Sequence, residues 1–133
     1  MVSVITLTGK NTAVDGLFGG AGDAAIWMAV GSSATTPGEG SSALGSEHGA
    51  GDGYARINVT ATTKYTYSSG GEPKKVTIEG TYDTTNITSA YTIREVAIYN
   101  AETGGEAALI FQVTDIAKDD TKQVKFTIIV NVV

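Results

Sequence analysis

The chain has 133 residues, no cysteine, two prolines, seventeen glycines and a formal net charge of −5. That length suits one domain with its own core, and the missing cysteines exclude disulfides and thiolate metal sites. An acidic chain whose lysines and arginines are scattered argues against nucleic acid as a main partner.

Residues 2–8 alternate apolar with polar and read as a first strand, without the basic start of a signal peptide. No apolar run approaches the roughly 20 residues of a membrane helix, so synthesis in a cytoplasm without secretion is expected. Residues 9–23 are Gly-rich and read as a loop or a short helix; Gly16–Gly22 lacks the Lys-Ser/Thr of a phosphate loop. Ala24–Val30 reads as a short buried strand. Residues 31–53 hold Ser, Thr, Gly and one Pro, with Leu44 as the main apolar side chain. That is long for a structureless connection. It is expected to be an extended loop or arm that packs on a neighbour.

From Tyr54 to Ala61 the alternation is that of a strand. Tyr65 and Tyr67 share one strand face just before a turn at Ser68–Pro73 and are candidates for an exposed aromatic patch. Val76, Ile78, Gly80 and Tyr82 alternate with polar residues in the next strand, and Asp83–Ser89 form a polar connection. Ile93–Asn100 is a strand whose phase slips, because Ile93, Val96 and Ile98 cannot share one face of regular β structure. A β-bulge at Arg94-Glu95 repairs that phase. Charge inside an apolar run is costly unless paired or at a surface, so Arg94 and Glu95 are read either as a subunit-facing ion pair or as an intramolecular pair at a sheet rim. Gly104-Gly105 makes a turn, Ala107–Val113 returns as a strand, and residues 115–121 read as a surface loop. The last strand, with Val124, Phe126, Ile128, Val130 and Val132 on one face, is an edge open to pairing.

These elements predict an all-β chain: one domain over residues 1–133, an antiparallel β-sandwich or small barrel of about 6–8 strands, with residues 31–53 as the arm or loop. Candidate chemistry is sparse. His48 is the single histidine and has no second histidine or cysteine to build a zinc site. No nucleophile-elbow motif is present. Gly51-Asp52-Gly53 and the Asp115/Asp119/Asp120 group lack the spacing of a calcium loop. Asn58-Val59-Thr60 and Asn86-Ile87-Thr88 match the glycosylation pattern by chance in a Thr-rich chain without a secretion signal. The expected protein is no enzyme and has no catalytic residue, cofactor, metal, membrane, nucleic acid or small-molecule substrate.

The segment Ile93-Arg94-Glu95-Val96-Ala97-Ile98-Tyr99-Asn100 resembles one that recurs in tailed-phage virion proteins. It is most like the N-terminal, particle-proximal domain of tail-collar fibres and related short virion proteins. Trp27–Gly31, the polar stretch Ser32–Gly40, Ala43-Leu44-Gly45-Ser46-Glu47 and Tyr54-Ala55-Arg56-Ile57 precede it in the order that family shows. The likeness runs from about residue 24 to the end. It implies a virion structural protein, made in the host cytoplasm, that assembles as a symmetric oligomer with itself, a trimer being favoured, and with other virion proteins. The location implied is the tail, baseplate or fibre-attachment region, or the capsid surface as decoration or turret. Family fibres continue into a shaft and receptor-binding tip, and this sequence stops at Val133. Candidate interface residues are Arg94, Glu95, Tyr65, Tyr67, Leu44 and Glu47. The alternative reading is a carbohydrate- or cell-surface-binding β-sandwich that uses Tyr65 and Tyr67.

Overall fold

A computed structural model describes residues 26–59, 61–64 and 74–132. The expected strand at 2–8, the Gly-rich stretch at 9–23, and Tyr65 and Tyr67 with the turn after them lie outside the described residues. Among those described there are seven strands and no helix: β1 Trp27–Gly31, β2 Ile57–Asn58, β3 Ala61–Lys64, β4 Lys74–Tyr82, β5 Tyr91–Tyr99, β6 Ala107–Lys118 and β7 Val124–Val132. No helix among these residues is long and apolar enough to cross a membrane.

The strands form two antiparallel sheets, ordered β2-β1-β5-β6 and β3-β4-β7. The architecture is the small sandwich that the alternation predicts. The core lies between the sheets. Met28, Val30, Ile93, Val96 and Ile98 come from the first sheet, and Ile78, Tyr82, Phe126 and Ile128 from the second. The Tyr82 hydroxyl is buried and donates to the Met28 carbonyl at 2.9 Å, so the largest inward ring also satisfies its polar end.

The bulge predicted at Arg94-Glu95 is present, with the extra residues on the partner strand. Ile93 pairs with Ile116 and Glu95 with Gln112, so Val113, Thr114 and Asp115 face the single residue Arg94. The slip lets Ile93, Val96 and Ile98 join one core despite their odd spacing. A second shift in the same pair falls between Ile98 and Tyr99. Beyond it, Gly104 and Gly105 take φ of +62° and +66°, a left-handed pair that side chains disfavour.

Two expectations about strand limits are corrected. The run from Tyr54 is not one strand: only Ile57–Asn58 pairs with β1, and the chain then crosses to the other sheet as β3. The surface loop expected at 115–121 starts later, because β6 runs on to Lys118. The Lys118 side chain is buried and donates from Nζ to the carbonyls of Ile87, at 3.3 Å, and Asp119, at 2.6 Å. Its long stem is apolar, so a lysine can end an inward-facing row once carbonyls receive the ammonium. Ile87 is itself held at φ +56°, unusual for a β-branched residue, with its side chain fully buried.

Candidate functional site

The outer face of the first sheet carries a second apolar cluster of Ala29, Leu44, Ala97, Tyr99 and Ile110. Leu44, from the segment 32–53, packs into it. This segment was expected as an arm ordered by a neighbour; instead its own chain holds it. Leu44 plugs it into the sheet, and the Leu44 amide donates to the Tyr99 hydroxyl at 2.8 Å. Ser32 and Ser46 are bonded through the backbone, as are His48 and Val30, and Ala107 and Ser42, all at 2.8–3.0 Å. The Gln112 side-chain amide donates to the Ala34 carbonyl at 2.6 Å.

Glu95 is the hub of this attachment. Its side chain is on the outer face, alternating with the inward Val96, and is only 2% exposed. The carboxylate accepts backbone N–H bonds from Ser46 at 2.7 Å, Gly45 at 3.0 Å and Ser33 at 3.4 Å. A short polar loop has few backbone partners of its own, and one carboxylate supplies acceptors for three of its amides. Gly31 lies directly beneath: a Cβ there would collide with the Glu95 carboxylate and the Ser46 carbonyl. Glu95 therefore forms no ion pair with its neighbour Arg94. Across the bulge, Arg94 reaches Asp115 instead, Nε at 2.9 Å and Nη2 at 3.2 Å, at an exposed rim. Of the two readings for Arg94, the intramolecular rim pair is the observed contact.

A second tie closes the far end of the loop. Arg56 binds the Glu47 carboxylate in two-pronged fashion, both contacts at 2.8 Å, and Tyr54 donates to the same carboxylate at 2.9 Å. The remaining Arg56 nitrogen, Nη1, donates to the carbonyls of Ala101 and Gly104 at 2.9 and 2.6 Å. The guanidinium lies 3.5 Å from the centre of the Tyr99 ring. One planar cation thus joins the loop, β5 and the β5–β6 turn, a task that needs the fork of arginine. Beside it, His48 and Asp52 meet at 2.9 Å, and the His48 ring packs against Tyr91 and Tyr54, with centroids 4.0 and 5.1 Å away.

The Arg56 bonds hold the Glu47 carboxyl below the ordinary glutamate value, with the Tyr54 hydroxyl adding to the effect. Burial pushes the Tyr54 phenol up, and the Glu47 charge pushes it further, so Tyr54 stays a donor. A carboxyl lowered in the folded state contributes stability that is complete above its unfolded value. That contribution is lost as pH falls through the folded value. Stability to urea should therefore hold from neutral pH to about 5 and decline below about 4.3. Urea midpoints at a series of pH values, with Arg56→Ala as the control whose acid slope is shallower, check this.

Between its anchors the loop is open. Residues 38–43 are exposed, and a Cβ on Gly38 or Gly40 would meet nothing within 4 Å. A shallow groove lined by Glu47, His48, Tyr54, Arg56, Glu102 and Thr103 runs beside the arginine. Another lies at the β6 bulge, between Arg94, Gln112, Thr114 and Asp115. No group of three or more metal-ligating side chains occurs among the described residues.

Of the sequence candidates, Leu44, Glu47, Glu95 and the neighbouring Arg94 lie on or beside the covered outer face. Leu44 and Glu95 are spent inside the chain, Glu47 is part-buried, and Arg94 alone stays at the rim. Arg56 and Tyr99 were missed as site residues. The signal was present as an arginine in Tyr54–Ile57 and a tyrosine near the end of the Ile93–Asn100 run. Compared with known proteins, the chain matches no family model, no curated protein and no solved structure.

Proposed function

We propose that this chain is a non-enzymatic structural protein of a tailed-virus particle. It is made in the host cytoplasm and incorporated into the virion as a symmetric oligomer, a trimer being the favoured state. Its place is the tail, baseplate or fibre-attachment region, or the capsid surface as decoration or turret. One observation carries the reading. The short segments that resemble tail-collar fibres are far apart in sequence, yet their residues meet in two adjoining sets of contacts, Gly31 with Glu95 and Glu47 with Arg56 and Tyr99, joined by the Gly31–Glu47 backbone bridge. A subunit of a particle needs a surface that is rigid before its neighbours arrive, since ordering a loose loop on assembly costs free energy. The clamped outer face meets that need.

Immunogold electron microscopy of intact virions, with antibody against this chain, tests the proposal. Label on the tail or on the head supports it and separates the two locations; label on no particle overturns it. Within this reading the exposed Arg94 side chain faces a neighbouring subunit when Asp115 releases it. Arg94→Ala should lower the yield of assembled oligomer while the melting temperature of the free chain stays near that of the parent, since exposed pairs contribute little. Normal assembly from a chain that melts earlier would contradict this.

A further inference from the structure

The two long sheet edges are built differently. β6 is broken by two register shifts and presents Asp115 and Arg94 at its bulge. Bulges and charges on an edge stop another strand from pairing with it. β7 carries no bulge among the described residues, and its single charge, Lys125, is paired with Glu79 of the adjacent β4. The strand pairs with β4 in unbroken register over nine residues, from Val124 opposite Tyr82 to Val132 opposite Lys74. Its other edge has no partner strand among the described residues. Ile129 on this strand is 53% exposed, the one large hydrophobic side chain so exposed among the described residues.

We propose that β7 pairs antiparallel with β7 of a second copy of this chain, joining two three-stranded sheets into one sheet of six. Full overlap of the strand places Ile128 on the twofold axis. Thr127 then stands opposite Ile129 of the second copy, and Lys125 opposite Asn131. The exposed isoleucine gains cover from a threonine, and no like charges meet. Lys125 is the only charged residue in β7, and it is already held by Glu79 at 3.3 Å. A chain of net charge −5 repels its copies in general; this nearly neutral edge is where a like chain can approach. Strand pairing supplies partners for the backbone groups of this edge that have no partner strand among the described residues, and the alternating side chains set the register. Such a contact is isologous, and with a threefold contact on another face it generates a hexamer of two trimers. The inference rests on the assembly reading for its setting, and its test needs no virion.

Sedimentation velocity of the purified full chain over a concentration series provides that test. The parent should associate in twos or multiples of two. Thr127→Lys with Ile129→Lys sets like charges opposite each other twice across the axis and should weaken association by about tenfold or more. Thr127→Glu with Ile129→Lys sets opposite charges there and should restore it. Circular dichroism melts of all three chains should coincide, which separates lost pairing from lost folding. A parent that stays monomeric overturns the proposal, as does a double-lysine chain that associates normally, or a Glu/Lys chain no better than the double lysine. A trimer indifferent to both double substitutions also overturns it, while leaving the assembly reading intact.

Discussion

Glu95→Ala should destabilise the chain by about 3–5 kcal/mol, near the upper end for a single substitution. The change removes a buried carboxylate and leaves the amides of Ser33, Gly45 and Ser46 without their acceptor. An orphaned donor costs about 1–3 kcal/mol when buried; these three bonds are only part-buried, so water recovers part of the total. Glu95→Gln keeps the volume but turns an NH2 toward an amide, so its loss should be intermediate. Urea unfolding gives the stability, and amide hydrogen exchange gives the location: Ser33, Gly45 and Ser46 should exchange faster, while Ile78 and Ile128 change only with global stability. A loss below about 1 kcal/mol, with those three amides unaltered, would show that the loop does not depend on the carboxylate.

Arg56→Ala comes next, at about 2–4 kcal/mol. The guanidinium side chain is 7% exposed and meets the Glu47 carboxylate, two carbonyls and the Tyr99 ring. Its Glu47 partner is more open, with 28% exposure, and keeps the Tyr54 hydroxyl, which holds the loss below that of a fully buried pair. For a domain of this size the melting temperature should fall on the order of 10 °C. Arg56→Lys should recover little, because an ammonium cannot span the carboxylate and both carbonyls at once. A lysine variant that melts with the parent would mean that charge alone matters here.

How far the sequence can be read depends on the distance over which each signal acts. β7 was plain because every second residue from Val124 to Val130 is apolar, a signal contained in seven residues. The bulge was visible too, since Ile93, Val96 and Ile98 break the period within six residues. The end of β6 was hidden because Asp115 and Lys118 are charged, and only the Ile87 and Asp119 carbonyls explain a buried lysine. The crossing of the chain between sheets after Asn58 leaves no mark in a run that keeps alternating. The attachment of residues 32–53 was least accessible of all. Glu95 meets Ser46 across 49 positions, and Gly31 matters only because a carboxylate and a carbonyl close over it. Composition marked that stretch as long and polar, which suits an arm and a tethered loop equally.

The tether has a practical corollary. Both roots of the 32–46 loop are fastened, by Glu95, by the Ser32–Ser46 bond and by the Leu44 plug, whereas a Cβ at Gly38 or Gly40 meets nothing within 4 Å and the bonds there are those of the local Gly38–Ser41 turn. Lengthening a flexible loop costs only about 0.6 kcal/mol per doubling. A foreign peptide spliced in at Gly38–Gly40 is therefore carried outward on a stiff base, which makes this tip a natural point for displaying an epitope or a tag.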